Sequence, residues 1–545
     1  MKQFYSKIIA LTLLLSFSTA YSQLAEWAVS SSGHGDNEYA TGICTDNSGN
    51  IISVGYFEEV ATFGNTTFAA FGSVDIVVQK FDSDGNYLWR KHFGGFGEDY
   101  THSVVTDSQG NIYFSGRVLG QAYFGGIPIT GSFSNSKYYL VKLDPDGNVL
   151  WAHNYAGSPT EYSKLAIDSN DVIHLMGSFE GTRTFGNFTL TNTNGNLFVL
   201  KINAAGTVIN TLQMASRGST SKGSMFIDSN NNLYVTGSFF GIAPFGTFTL
   251  NSGEIFFNLF VTKISPDGTF LWVKQMTNSS SGDSVIADSQ GNIYISGNYS
   301  GTCEFEGQTI TAEDGIYSHF IIKLNSDGTR QWINSFNTAD TYGLSHPQLA
   351  IGNQGQLYQM FTFYNDMDFN GNSYTAPNLS TLIDQVLLSR FSTDGTFVWN
   401  KQLSAFQYKN CQPIHAINEN IYLTGGANTN FFDGLPLNNE SASEILVARI
   451  KDNAPPDDEI AGIVAPNTPV ITVLENPFSS NLNIDLGKNY KKIEMQLYAV
   501  TGQLIKNYSI SESNSIRLPV GISKGLYLVN LQLDGINHSF KVIKK

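Results

Sequence analysis

Cysteine is scarce in this 545-residue chain: Cys44, Cys303 and Cys411 are the whole complement, and they fall at unrelated places. That argues against a disulfide framework or a cysteine metal centre; three small apolar residues are the simpler reading, with one bridge and a spare thiol as the alternative. Charge is sparse too, at 14% of residues, and leans acidic, with a formal net charge of -15. No Lys/Arg cluster interrupts it, so no nucleic-acid partner is expected, and the dispersed acidity serves solubility. Beyond Ile8–Phe17 no long apolar run occurs, and no segment reads as spanning a bilayer. Catalytic signatures are missing as well: there is no G-x-S-x-G, H-E-x-x-H or Walker-type loop. The nine histidines, His34, His92, His102, His153, His174, His319, His346, His415 and His538, show no pair at metal-ligand spacing.

Abundance lies elsewhere, in 52 glycines and 13% aromatics, a composition that suits many short strands and turns. Within it one ten-residue phrase recurs, Asp107-Ser-Gln-Gly-Asn-Ile-Tyr-Phe-Ser-Gly116: an Asp/Gly/Asn turn, then a strand. Its closing glycine returns at Gly55, Gly116, Gly177, Gly237 and Gly297, steps of 61, 61, 60 and 60. Two worn copies, ending at Phe361 and Gly425, follow at intervals of 64, making seven. Fixed self-similarity means a repeat architecture whose units stack on their neighbours.

Each repeat reads as four strands. A short first strand precedes the phrase, and after its glycine comes a connection marked by Phe63, Phe124, Phe185, Phe245, Phe305, Phe369 or Phe432, read as a buried anchor. The third strand has a cation at a fixed place, Lys80, Lys142, Lys201, Lys263, Lys323, Arg390 and Arg449, followed in most repeats by an Asp-Gly turn such as Asp144-Pro-Asp-Gly-Asn148. The fourth carries Trp27, Trp89, Trp151, Trp272, Trp332 or Trp399; repeat three has Asn210 instead. The expected fold is therefore all-β: a seven-bladed β-propeller at 23–452, followed by a linker at 453–469 and a small C-terminal β-sandwich at 470–545. The strand around Trp27 lacks a repeat of its own and repeat seven lacks a fourth strand, so the N-terminal strand is expected to close the ring. Alternation puts the Asp/Gly turns on one face and the longer connections, such as Phe93-Gly-Gly-Phe-Gly-Glu-Asp-Tyr100, on the other, where a ligand site is expected.

The run from Phe93 to Tyr100, with Val104–Gly116 and Tyr139-Leu-Val-Lys-Leu-Asp-Pro-Asp-Gly-Asn148, resembles the bacterial β-propeller repeat family called SBBP. That resemblance implies a fold and an extracytoplasmic setting, with no single activity. The C-terminal segment resembles the type A sorting domain of the type IX secretion system, through Asn476-Pro477-Phe478-Ser-Ser-Asn-Leu, Tyr498-Ala-Val-Thr-Gly502-Gln-Leu, Lys524-Gly525-Leu-Tyr527-Leu-Val and Phe540-Lys541-Val542-Ile-Lys-Lys545. It departs from that family at Leu474-Glu475, where an aromatic and a proline are usual. The resemblance implies export across the outer membrane by type IX machinery, removal of the domain, and release or surface attachment. At the other end Lys2, Lys7, the apolar run and Ala20-Tyr-Ser22 read as a signal peptide, 1–22, cleaved between Ser22 and Gln23.

Asp82, Asp84 and Asn86, like Asp144, Asp146 and Asn148, alternate oxygen side chains as calcium loops do, but no bidentate Glu follows at the right distance and the hairpin turn already explains them. No cofactor is expected. The repeated tryptophan suits a packing layer between blades better than a sugar-stacking platform. These residues point to a secreted or cell-surface, non-enzymatic binding or adhesion platform for a glycan or protein ligand. A secreted enzyme acting on polysaccharide or peptide at the channel mouth, and a structural surface protein, are the alternatives.

Overall fold

The computed structural model describes Gln23 and residues 25–33, 38–131, 137–155, 163–215, 223–253, 255–313, 316–340, 346–363, 366–369, 372–374, 385–403, 406–407, 414–427, 431–437, 444–454, 472–473, 481–499, 503–519, 521–533 and 536–545. Among them there are strands and no helix, and the chain divides into two units, Met1–Asp457 and Asp458–Lys545.

In the first unit the repeat is a four-stranded antiparallel meander. Repeat two pairs Asp99–Thr106, Ile112–Val118, Lys137–Leu143 and Val149–Tyr155 in chain order. The same order recurs in the other repeats, except that repeat seven takes its fourth strand from the N-terminal side: Ala25–Gly33 pairs with Glu444–Lys451, Trp27 opposite Arg449 and Ala28 opposite Ala448. Repeats one and seven also touch through Ser53 and Thr424, 3.2 Å apart, and through Thr45 and His415, 3.0 Å apart.

The alternation Ile112/Phe114 against Tyr113/Ser115 does sort the side chains, but both sets are buried. The reason is that each sheet has a neighbour on either face. Phe114 joins Ile52, Val54 and Val78 of repeat one, while Tyr113 and Leu140 join Leu165, Leu175 and Leu200 of repeat three. Each core is thus shared between two repeats, and a single repeat could not bury either face alone. The recurring glycine has a backbone cause. Gly55, Gly116 and Gly297 lie beside register shifts in their first strands, and a Cβ on them would fall 2.5, 1.9 and 1.9 Å from the carbonyl oxygens of Tyr39, Tyr100 and Ser281.

One element was not legible in the repeat pattern: the connection marked by phenylalanine is itself a hairpin. Gln121–Phe124 pairs with Ile127–Thr130 across Gly125-Gly126, both at positive φ, and Glu306-Gly307 and Asp433-Gly434 turn in the same way. All seven phenylalanines are buried at its base. In repeat two its strands are only four residues long, too short for a periodic signal, while in repeats one and three they continue the second and third strands.

The second unit is all-β and has a buried core of its own. Its strands Thr472–Val473, Asn481–Ala499, Leu504–Pro519, Gly525–Leu533 and Ile536–Lys544 form one connected five-stranded sheet around Leu482, Ile484, Ile493, Met495, Val529, Leu531 and Val542. Leu482–Leu486 and the run from Lys492 belong to one 19-residue strand. A register shift between Asp485 and Tyr490 absorbs Gly487-Lys-Asn.

Candidate ligand-binding face

The most regular residues of the repeat converge on one end of the sheets. Across repeat two, Tyr113, Lys142 and Trp151 sit opposite one another on adjacent strands, with the Lys142 ammonium 4.9 Å from the Tyr113 ring centre. Lys142 also lies 3.5 Å from Asp107 of the first turn, which accepts the Tyr113 hydroxyl at 3.1 Å. The indole then reaches out of its own repeat. Trp27, Trp89, Trp151, Trp272 and Trp332 donate Nε1–H to the carbonyls of Ser83, Pro145, Ala204, Ser326 and Thr393 in the tight turn between third and fourth strands of the next sheet, at 3.1, 2.9, 3.1, 3.4 and 3.2 Å. Trp399 finds the Asp452 carboxylate instead, at 2.9 Å.

The turn glycine explains the fit. Gly85, Gly147, Gly328 and Gly395 have φ near +80° to +90°, and a Cβ on them would lie 2.6, 3.1, 3.0 and 3.0 Å from the ring of the preceding tryptophan. The indole faces are thereby covered, which favours the packing-layer reading over a sugar platform. The candidate calcium carboxylates are also committed: Asp82 accepts the amides of Asp84 and Asn86 at 3.0 and 2.9 Å, and Asp144 those of Asp146 and Asn148 at 3.0 and 2.8 Å. These bonds, with those from the Asn86 and Asn148 side chains, hold both carboxyls below the usual range. A cleft of about 620 Å³ opens between the turns of repeats one and two, but its Lys80 is paired to Asp46 at 2.9 Å and its Trp89 to Pro145.

The opposite end, where second strands run into third and fourth into the next repeat, has another character. Here Phe71, Phe96, Tyr123, Ile255, Phe256 and Phe431 stand in solvent, Phe96 at 86% exposure. Phe71 stacks flat on His92, ring centres 4.4 Å apart at 9°, and His92 Nε2 is 2.5 Å from the buried Asp75 carboxylate, which also accepts the Phe71 amide at 2.7 Å. Phe96 is held by glycines. A Cβ on Gly97 would fall 1.5 Å from the Leu119 carbonyl, one on Gly95 1.8 Å from that of Gln121, and one on Gly72 2.4 Å from that of Gly95. Phe93-Gly-Gly-Phe-Gly97 is therefore a close-packed backbone that presents one ring.

Beneath this surface lie two sets of carboxyls that the sequence did not announce. Asp99 is fully buried and pushed up to about 7, by burial first and then by the charge of Asp75. Glu38 is fully buried and pushed up to about 8, by burial and by Glu444 and Glu58, while Ser31 Oγ lies 2.7 Å from it and 3.0 Å from Glu444. Asp75 and Glu444 both lie five residues before the third-strand cation, and Glu38 and Asp99 both immediately precede a tyrosine at the start of a first strand. Only that spacing could have paired them. Further on, His346 Nδ1 is 2.9 Å from Asp283. Burial pushes His102 and His319 down to about 3 and His415 down to about 4, so those rings are neutral. Cys44 is half-buried and Cys303 buried, both thiols free; burial pushes Cys303 up to about 12. Cys411 lies outside the described residues.

Of the sorting motifs, Asn476, Pro477, Phe478 and Gly502 lie outside the described residues, as do Ser22 and the rest of 1–22. Gln23 is buried. The last two motifs come together: Gly525 pairs with Lys544, Tyr527 with Val542 and Leu528 with Lys541, and the buried Tyr527 gives its hydroxyl to the Ser523 carbonyl at 2.9 Å.

Among known proteins, an uncharacterized WD repeat-containing protein of Acanthamoeba polyphaga mimivirus is 28% identical over 154 residues, 25% of this chain and 11% of that protein. Similar solved structures include a mitotic checkpoint complex chain (TM-score 0.40, 12% identity, 83% of this chain and 99% of that one) and a virginiamycin B lyase of Staphylococcus aureus (0.35, 10%, 77% and 98%). The NanB sialidase of Streptococcus pneumoniae is another (0.33, 11%, 79% and 71%). These distant likenesses carry no argument about activity. No SBBP family profile matches the repeats, whose resemblance rests on the residues quoted above. No helix among the described residues is long and apolar enough to cross a membrane. Residues 473–545, by contrast, match the secretion system C-terminal sorting domain, which implies export by the type IX route and marks the protein as secreted or attached at the outer membrane or cell surface.

Proposed function

We propose that residues 23–452 form a seven-bladed β-propeller, closed by the N-terminal strand, that serves at the cell surface or after release as a non-enzymatic platform for a glycan or protein ligand. Closure is supported by the pairing of Ala25–Gly33 with Glu444–Lys451 and by Trp27, which reaches repeat one as the other tryptophans reach their successors. The observation that carries the binding reading is the asymmetry of the two ends. The tryptophans of one end are bound into turns, whereas Phe71, Phe96, Tyr123 and Phe256 of the other project into solvent, Phe96 from a backbone with no room to yield. Enzymatic acid–base chemistry would need a titrating group within reach of substrate. Glu38 and Asp99 titrate in the right range but are fully buried.

The test is a binding screen of the full chain against surface glycans, polymers and proteins, with the Phe71→Ala/Phe96→Ala double variant in parallel. Saturable binding without product, lost in the variant, is the expected result. Turnover of any bound ligand would overturn the platform reading, and binding indifferent to both phenylalanines would move the site elsewhere.

A further inference from the structure

We propose that the junction between repeats three and four is a binding slot for a planar aromatic group bearing an N–H or O–H donor, indole being the simplest such group. This junction differs from the others in what its turn carbonyl accepts. The carbonyls of Ser83, Pro145, Ser326 and Thr393 each accept two donors: the cation of the preceding third strand (Arg449, Lys80, Lys263 and Lys323) and the indole of the preceding fourth strand. The corresponding carbonyl at the fourth turn, Pro266, accepts Lys201 and has no indole to accept, because Asn210 stands where the tryptophan would be. Asn210 makes a local bond instead, its Oδ1 accepting the Thr211 amide at 2.7 Å.

The glycine of the turn records the same vacancy. At Gly85, Gly147, Gly328 and Gly395 the preceding ring lies within van der Waals contact of an added Cβ or closer, whereas a Cβ on Gly268 would meet nothing within 4 Å. A cavity of about 90 Å³ remains, lined by apolar Val199, Leu212, Leu233 and Ile264 and by polar Lys201 and Asp267. An enclosed apolar cavity of about 150 Å³ takes benzene. This smaller one opens to solvent, as do the seats of half-buried Trp89, Trp151 and Trp332, so a bound ring need only be partly enclosed. A ring lying on Gly268 would cover apolar surface, and its donor would meet the Pro266 carbonyl.

Two sources supply this chemistry: a free small aromatic molecule, or a tryptophan side chain presented by another polypeptide. Fluorine NMR of 5-fluoroindole with the full chain is the experiment, with N-acetyltryptophanamide and a short tryptophan-containing peptide as competitors. The line is expected to broaden with the wild type and not with Asn210→Trp, which supplies the ring from within and raises the thermal midpoint. Displacement by the peptide identifies a side-chain ligand, and displacement by free indole alone a small molecule. Should Asn210→Trp fail to fold, Gly268→Ala, whose methyl enters the slot, is expected to weaken binding at least about fivefold, a difference of roughly 1 kcal/mol. No broadening with the wild type, or broadening unchanged in the variant that folds, would overturn the proposal.

Discussion

The two ends of the sheets obey different rules. At the turn end the same side chains recur in repeat after repeat because each is fixed by two neighbours: the aspartate by its own turn, the cation by that aspartate and the next turn, the indole by the next carbonyl and glycine. At the opposite end the exposed residues differ from repeat to repeat: Phe96 stands 86% exposed, while Phe71 lies flat on His92. Recurrence within the chain thus marks packing, while irregularity on a shared scaffold marks the surface free to specialise. Changes at the first end should appear as lost stability, and changes at the second as lost binding.

The largest effect is expected at Asp452. Its carboxylate stands where repeat seven has no Asp-Gly turn, and it pairs with the buried Arg390 guanidinium at 2.9 Å while accepting Trp399 Nε1–H at 2.9 Å and the Tyr358 hydroxyl at 2.7 Å. Asp452→Ala strands a buried cation, and about 3–5 kcal/mol of stability should go with it. Urea unfolding of the full chain measures this; a loss below about 1 kcal/mol would mean that the group is solvated and no hub.

Trp89 tests the same end where the latch has its usual form. Trp89→Ala removes a half-buried ring and the bond to Pro145, for an expected loss of about 2 kcal/mol, while Trp89→Phe keeps most of the contact and loses about 1 kcal/mol. If either variant impaired ligand binding without loss of stability, the indole would belong to a site after all and the division between the ends would fail.

This division also explains what could be read from the sequence. The interval, the turns, the tryptophan register and the four-strand unit were legible because each recurs with its own local signature, as in Asp144-Pro-Asp-Gly-Asn148. The phenylalanine hairpin was not, since such short strands give no periodicity. The Glu38/Glu444 and Asp75/Asp99 sets were not, because each joins two repeats and the glutamate set spans nearly the whole first unit. Nor was the 19-residue strand of the sorting domain, where Gly487-Lys-Asn breaks the apolar alternation and the chain stays extended with a slipped register.

The buried carboxyls set a pH dependence for the less regular end. Glu38 has a folded pKa of about 8 against 4.5 for an ordinary glutamate, so folding favours its protonated form. Its contribution is complete below the unfolded value and is lost as pH rises through the folded one. Asp99 acts in the same sense up to about 7. Stability should therefore decline between about pH 5 and pH 8, by an amount that Glu38→Gln reduces, every tenfold gain in proton affinity on folding corresponding to roughly 1.4 kcal/mol. An identical slope in the variant would show that Glu38 is charged in the fold.

Phe96 gives the smallest stability effect and the sharpest contrast. Its ring is 86% exposed, so Phe96→Ala removes almost no burial and should change stability by no more than about 0.5 kcal/mol. The backbone beneath it stays in place, because Gly95 and Gly97 are packed against Gln121 and Leu119 whether or not the ring is there. A ligand that uses this end would lose a preorganised aromatic anchor, and affinity should fall at least about tenfold, roughly 1.4 kcal/mol. Measured together with Trp89→Ala, the two variants should move in opposite columns, one in stability and one in binding. A Phe96→Ala protein that binds every ligand as the wild type does would leave the exposed ring without a role and shift the site to the hairpins bearing Tyr123 and Phe431.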